Sequence, residues 1–496
     1  MGSYLLVLDA GSTNVKASLI DRQSHVFSSA SAEFPVLYPD DGLVEESAAV
    51  IWGTVVEMIR KVLTKSGVPE SEIHAIGVTN QRETFVVWDR KTGIPIYNAI
   101  GWQDKRGMPM SAALIAQGQF ENAFVKTGQF LANFMPTGGK LTWVLDHVEG
   151  ARERAERGEL AFGTMDSWIV WNLTAGACHV TDVSNASRTL YYNINTLDWD
   201  EELLRLFRIP RAILPKVLPS DGDFGVASQI FHTPIPIRGV LGDAHAATLG
   251  QRCLTPGMAK ATYGTTCVMT VNIGEQPKYT PGIGTTVGWT LGEKTTYLYE
   301  GGFYVAGLTM KWMRDVLHAA EDYVTLDDIA KRTPATPGLY LCPTFLGVAT
   351  PHFCGEAKGM IAGLGVTSGM NDIIKAGLDS IAYTTRDCTE VFAAGLEGPL
   401  SQIAVDGGVT NSDYIMQNIA DITGISVVRA KNIEATTLGA AYAAGLASGY
   451  WKSFDEIERE LDRESSTFVP QVPEEERESR YSGWQKIVQA VLQYAK

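Results

Sequence analysis

Two stretches half a chain apart share one pattern. Leu8 to Asp21 reads LDAGSTNVKASLID, and Ala259 to Gly274 reads AKATYGTTCVMTVNIG. Each has a strand-like run, a turn of glycine and hydroxyl residues, then a second alternating run, which is the pattern of a β-hairpin. One such turn reads equally well as an ordinary hairpin or as a phosphate cradle. In the cradle reading Asp9, Ser12 and Thr13 converge beside backbone N–H groups that glycine leaves uncovered, a setting that suits a phosphate and its metal. The spacing is too long for a solenoid repeat. It predicts two related halves whose hairpins grip one polyphosphate from opposite sides of a cleft.

With 496 residues the chain exceeds the size at which a single core keeps growing, so two domains are expected. The net charge of −15 disfavours nucleic acid or an anionic membrane as a partner, because both need a basic footprint. Six cysteines without a CxxC pair read as reduced thiols rather than a zinc site. No basic, apolar leader precedes the first strand at Tyr4, so a cytoplasmic location is expected. The small-residue run LGAAYAAGLASGYW from Leu438 reads as a buried helix, too short and glycine-interrupted for a membrane span. The sequons at Asn172 and Asn185 read as chance matches.

Strand and helix patterns alternate along the chain, which predicts an α/β architecture with ligands at strand ends. Ile51, Val55, Ile59 and Val62 mark one face of a helix over 50–63. Asp243, in IRGVLGDAHAATLG, ends a strand and starts a helix, where an aspartate serves either as a helix cap or as a carboxylate aimed into the cleft. In IAVDGGVTNSDYIMQNIADI, a strand leads through Gly407-Gly408 to a helix whose first turn includes Ser412. That is either a simple turn or a site of close approach for a ring or phosphate.

The residues Asp9-Ala-Gly-Ser-Thr, Asn80-Gln-Arg-Glu-Thr, Gly242-Asp243, Tyr263-Gly-Thr-Thr and Asp406-Gly-Gly, in this order, resemble the FGGY carbohydrate kinases. MPTGGKLTWVLDH from Met135 and KGMIAGL from Lys358 are similar to the family's two signature segments. The resemblance implies the actin-like ATPase fold, two ribonuclease H-like domains around a central cleft. Residues 1–252 would hold the acceptor and the first hairpin, and 253–496 the nucleotide. It implies ATP and Mg²⁺ as cofactors and a small polyol or sugar as the partner, and it is compatible with a homo-oligomer. Asp9 and Asp243 would stand near Mg²⁺, with Asp243 also the acceptor of the hydroxyl proton. Ser12, Thr13, Asn14 and Lys16 would surround the terminal phosphates from one side and Gly264 and Thr265 from the other. Gly307, Lys311, Gly407, Gly408 and Ser412 would line the base and ribose. Arg82 and Glu83 would bind substrate hydroxyls, and Trp102 would offer an apolar face.

Within the family the chain most resembles the glycerol kinases, with departures. Lys16 stands where those have arginine, so a fork of donors becomes a point charge. Met135, Ala244 and Val268 stand where they have tyrosine, glutamine and phenylalanine. Asp104 completes a Trp-x-Asp-x-Arg pattern similar to that of the family's ketose kinases, and it, or His245 if it faces the cleft rather than the packed side of its helix, could meet extra hydroxyls. The expected acceptor is therefore a four- or five-carbon polyol or ketose, with glycerol as the alternative. A non-kinase, actin-like nucleotide-gated binding protein is a more remote reading, disfavoured by intact Asp9 and Asp243.

Overall fold

The computed structural model describes residues 2–430, 434–460 and 465–495. Leu5, Leu6, Val7 and Leu8 are all buried, as expected of a strand covered on both faces. That strand, Tyr4–Ala10, lies inside a six-stranded sheet whose order is Val226–Ala227, Ile235–Gly242, Ile73–Asn80, Tyr4–Ala10, Asn14–Ile20, Val26–Glu33. Tyr4–Ala10 runs parallel to Ile73–Asn80, which runs parallel to Ile235–Gly242, while the hairpin side is antiparallel.

The second half repeats this plan. Met258–Tyr263 pairs antiparallel with Cys267–Gly274 and parallel with Gln402–Asp406, and Ser426–Ala430 follows in parallel. Lys294–Phe303 takes the place that Val26–Glu33 holds in the first sheet. The two halves thus share one strand order and one set of directions, and the duplication read from the hairpins extends through both sheets.

The predicted helix over 50–63 is present as Ala48–Ser66, capped by Ser47 and ended by the left-handed Gly67. The small-residue run forms the buried helix Ala435–Ala447. Although it follows the second sheet in sequence, it packs on the first sheet and beside the helix Asp243–Gly250. Small residues are required there, since a Cβ on Gly439 would lie 1.8 Å from the Ala246 carbonyl oxygen. Among the described residues no helix is long and apolar enough to cross a membrane. Asn185 of the second sequon is fully buried, and all six cysteines are free thiols.

Candidate functional site

The three parallel strands of the first sheet run in register, pairing Asp9 with Thr79 and Gly242 with Asn80. Their carboxyl ends therefore deliver Asp9, the segment after Asn80, and Asp243 to one edge of the sheet, where ligands of such folds collect. Burial pushes the Asp9 carboxyl up to about 7; Lys16 opposes this, and the charges of Asp243 and Glu434 add to it. Lys16 pairs with Asp9 in the hairpin register and directs its Nζ to Glu434.

Asp243 is the first residue of its helix, and Gly242 holds the cap position. The carboxylate is 39% exposed to the cleft. Its Oδ1 accepts from the Ala244 N–H at 2.6 Å and faces Arg82 Nε at 3.2 Å. Burial raises its pKa, with Arg82 opposing.

Arg82 and Glu83 occupy a three-residue turn in which the Thr84 N–H donates to the Arg82 carbonyl at 2.7 Å, and Glu83 has φ 64°. A left-handed glutamate costs about 1–3 kcal/mol and persists only where its surroundings over-determine it. Here Arg188 Nε donates to Glu83 Oε1 at 2.6 Å, and the Thr137 hydroxyl donates to the Glu83 carbonyl at 3.1 Å. Arg188 also donates to Gln129 Oε1 at 2.7 Å. Glu300, from the second half, pairs with both Arg82 and Arg188. Burial acts to raise its pKa, yet the two guanidiniums hold the carboxyl well below the usual range.

Trp102 is half-buried and donates from Nε1 to Ser12 Oγ at 2.9 Å. Lys140 Nζ, buried and pushed down to about 7 by that burial, donates to the carbonyls of Trp102 and Met135 at 2.9 Å each. Met135, Ala244 and Val268 are each half-buried. Thr13 and Asn14 are exposed at the first hairpin's tip.

Asp104 is a correction to the sequence reading. It is fully buried, with Oδ2 accepting from the Val44 N–H at 2.7 Å and Oδ1 from the Arg106 N–H at 2.8 Å, and it pairs with the Arg106 guanidinium. The Trp-x-Asp-x-Arg pattern here closes an internal clamp and places no carboxylate in the acceptor site. His245 is likewise fully buried, and neither ring nitrogen has a partner, so it takes the packed side of its helix.

In the second half, the hairpin carbonyls of Gly264 and Thr265 accept from the N–H groups of Gly307 and Ala306 at 2.9 and 3.0 Å, stitching the helix Gly307–Asp315 to the turn. Beside them opens a cavity of about 670 Å³, within the range of small-molecule sites. Gly264, Thr265, Gly307, Lys311, Gly408 and Ser412 all line it. Gly407 does not: its φ is 95°, and a Cβ there would lie 2.4 Å from the Tyr263 carbonyl, so its glycine serves a backbone approach. The Ser412 hydroxyl caps the helix Asp413–Thr423, accepting from the Ile415 N–H at 3.0 Å, and donates to Asp327.

The donor set suits a hard divalent cation that keeps water and phosphate oxygens. The charge of Asp243 adds to burial in raising the Asp9 pKa, which a cation between the two carboxylates would relieve. Among the described residues no group of three or more His, Cys, Asp or Glu side chains is assembled that could hold a metal ion.

Sequence reasoning missed Arg188, Gln129, Glu300 and Lys140. Only Lys140 lay in a quoted motif; the other three acquire their role through contacts between distant segments.

The FGGY family model for the N-terminal domain of carbohydrate kinases matches residues 4–250, and that for the C-terminal domain matches 259–448. A glycerol kinase of Desulfitobacterium hafniense is 45% identical over 99% of this chain and 100% of its own length. Glycerol kinase 2 of Thermotoga maritima is 42% identical over 99% of both chains. The Plasmodium falciparum glycerol kinase with ADP superposes with a TM-score of 0.94 at 29% identity, covering 99% of both chains. A xylulose kinase of Lactobacillus acidophilus, at 22% identity and a TM-score of 0.87 over 99% of this chain and 97% of its own, shares the fold.

Proposed function

The chain belongs to the FGGY family of carbohydrate kinases, and from that premise we propose that it transfers the terminal phosphoryl group of ATP to a hydroxyl of a small polyol, glycerol being the acceptor favoured by its relatives. The observation that carries this reading is Asp243: a carboxylate open to the cleft at a strand end, with both its protein contacts on Oδ1. Phosphoryl transfer to an alcohol needs a positioned hydroxyl and an acceptor for its proton, and Oδ2 of Asp243 supplies the latter. Arg82 and Glu83 hold the acceptor's other hydroxyls as donor and acceptor, fixed by their strained turn. Trp102 covers its carbon chain. The two hairpins flank the phosphates, and the base and ribose occupy the cavity beside Gly408 and Lys311. Asp9 and Asp243 would hold Mg²⁺, which when bound neutralises charge on the transferred group. The net charge of −15 favours a small-molecule partner over nucleic acid.

A second reading, a four- or five-carbon acceptor, rests on Met135, Ala244 and Val268, since a loosely held triol loses attack geometry. Burial of Asp104 and His245 removes the groups that would have met the extra hydroxyls, so glycerol is the stronger expectation. ADP release measured with ATP and Mg²⁺ over glycerol, erythritol, threitol, xylulose and ribulose at matched concentrations tests both. Preference for glycerol supports the first reading, and preference for a longer polyol or ketose the second. ADP release indifferent to any of them overturns the kinase assignment of the site.

A further inference from the structure

Glu300 enters the acceptor side of the cleft from the other half of the molecule. It lies on Lys294–Phe303, opposite Thr270 and Gly284 in the second sheet, and its side chain is 10% exposed. Its two oxygens are divided between two arginines of the first half. Oε2 pairs with Arg82 Nη1, and Oε1 lies 3.2 Å from Arg188 Nη2. Arg82 turns its Nε toward Asp243, and Arg188 its Nε toward Glu83. Because Arg82 and Glu83 are chain neighbours, the contacts Arg82, Glu300, Arg188 and Glu83 close into a ring, with Asp243 attached at Arg82.

Two more contacts brace the ring across the same seam. Gln129, which accepts from Arg188, donates from Nε2 to the Thr285 carbonyl at 3.0 Å, and the hydroxyls of Ser187 and Thr286 lie 2.8 Å apart. Thr285 and Thr286 belong to Gly284–Leu291, the strand beside that of Glu300.

The ring constrains Arg82. A guanidinium whose only anion was Asp243 would form a fork on both carboxylate oxygens, the preferred geometry of that pair. Here Glu300 anchors Nη1, Nε lies 3.2 Å from Asp243 Oδ1 as an ion pair without closing a hydrogen bond, and Asp243 Oδ2 has no hydrogen bond or ion pair among the described residues. A buried ion pair holds its geometry only when every partner is in place.

We propose that Glu300 is a positioning residue for the acceptor: from the second half it anchors Arg82 and Arg188, the partners of Asp243 and Glu83, and so makes the first half's acceptor site complete only when the second half is docked against it. The inference rests on the reading of Arg82 and Asp243 as acceptor-binding residues.

The test compares wild type, Glu300→Gln and Glu300→Asp in steady-state kinetics, varying the best polyol of the panel above and ATP separately. Glu300→Gln is expected to raise KM for the polyol by about ten-fold or more while KM for ATP stays within about two-fold. Glu300→Asp, which keeps the charge on a shorter stem, should recover part of that loss. Binding of a non-hydrolysable ATP analogue, measured by calorimetry, reports whether each variant is folded. If Glu300→Gln fails to bind it, the Glu300→Asp polyol KM decides alone, and an unchanged value overturns the inference. Polyol and ATP KM rising by one common factor, or neither rising, also overturns it. A wild type that turns over no polyol overturns the functional reading and this inference together, whereas an active wild type with an unaffected Glu300→Gln overturns this inference alone.

Discussion

Trp102 Nε1 donates to Ser12 Oγ at 2.9 Å, so the residue proposed to cover the acceptor and the first glycine–hydroxyl hairpin are tied by one side-chain bond. Trp102→Phe keeps an apolar face and removes the donor, at a cost of about 1 kcal/mol. A slackened hairpin should raise KM for ATP by about three- to ten-fold with little change in KM for the polyol. Trp102→Ala should raise both. Separate titration of the two substrates distinguishes these outcomes.

Asp243→Asn keeps the shape of the residue and removes the carboxylate proposed to accept the proton. We expect kcat to fall by roughly 10²–10⁴-fold, with nucleotide affinity by calorimetry little changed. A rate close to that of wild type would leave Asp243 without a role in proton transfer. Asp9→Asn should instead alter the Mg²⁺ dependence, read as the Mg²⁺ concentration giving half-maximal rate.

Glu46 provides a pH signature unconnected with substrate. It is fully buried, Gln81 Nε2 donates to its Oε2 at 2.6 Å, and among the described residues Oε1 has no hydrogen-bond partner. Burial pushes its pKa from 4.5 up to about 8, with the Gln81 bond opposing. Between those values the folded chain keeps a proton that the unfolded chain has lost. The stability Glu46 contributes is therefore fully present below about pH 4.5, declines by up to about 1.4 kcal/mol per pH unit, and is gone above about pH 8. Glu46→Gln cannot ionise, so Tm measured from about pH 5 to about pH 9 should fall less steeply in the variant than in wild type.

Gly439 tests the packing of the helix Ala435–Ala447 on its neighbour. A methyl placed 1.8 Å from the backbone oxygen of Ala246 can be accommodated only by moving a helix. Gly439→Ala should destabilise by about 3 kcal/mol or more. Gly53→Ala, in the helix Ala48–Ser66 with nothing within 4 Å of the added carbon, should stabilise by about 0.5–1 kcal/mol. Denaturant unfolding of the pair checks that the loss comes from the contact rather than from helix propensity.

Much of the fold was legible because its signals are local. A glycine–hydroxyl turn between alternating runs specifies a hairpin wherever it occurs, and two of them half a chain apart predicted the duplication that both sheets display. The buried small-residue helix was legible for the same reason, although its seat on the first sheet was not. Asp9 and Asp243 stood out as acids at the ends of apolar strands. Asp104 was misread, and the side of the helix that His245 takes was left open, because the direction of a side chain depends on what packs around it: the Asp104 carboxylate turns inward to Val44 and Arg106, which no spacing rule reveals. For Gly407-Gly408 the sequence left a simple turn and a ligand approach open, and only the close pass of the Tyr263 backbone shows what the glycine at 407 accommodates.

By itself, the sequence determined the two-fold repeat and the placement of acidic residues at strand ends, since both follow from periodicity and turn chemistry within short spans, while the family came through the resemblance of motifs spread along the whole chain. Only the tertiary structure decided how those residues are held. Glu300 and Arg188 carry no local pattern, and they matter because two sheets built from distant parts of the chain bring opposite charges together where little water remains to screen them. Such a pairing is a property of the assembled cleft, because charge attraction acts through distance in space and is blind to distance along the chain.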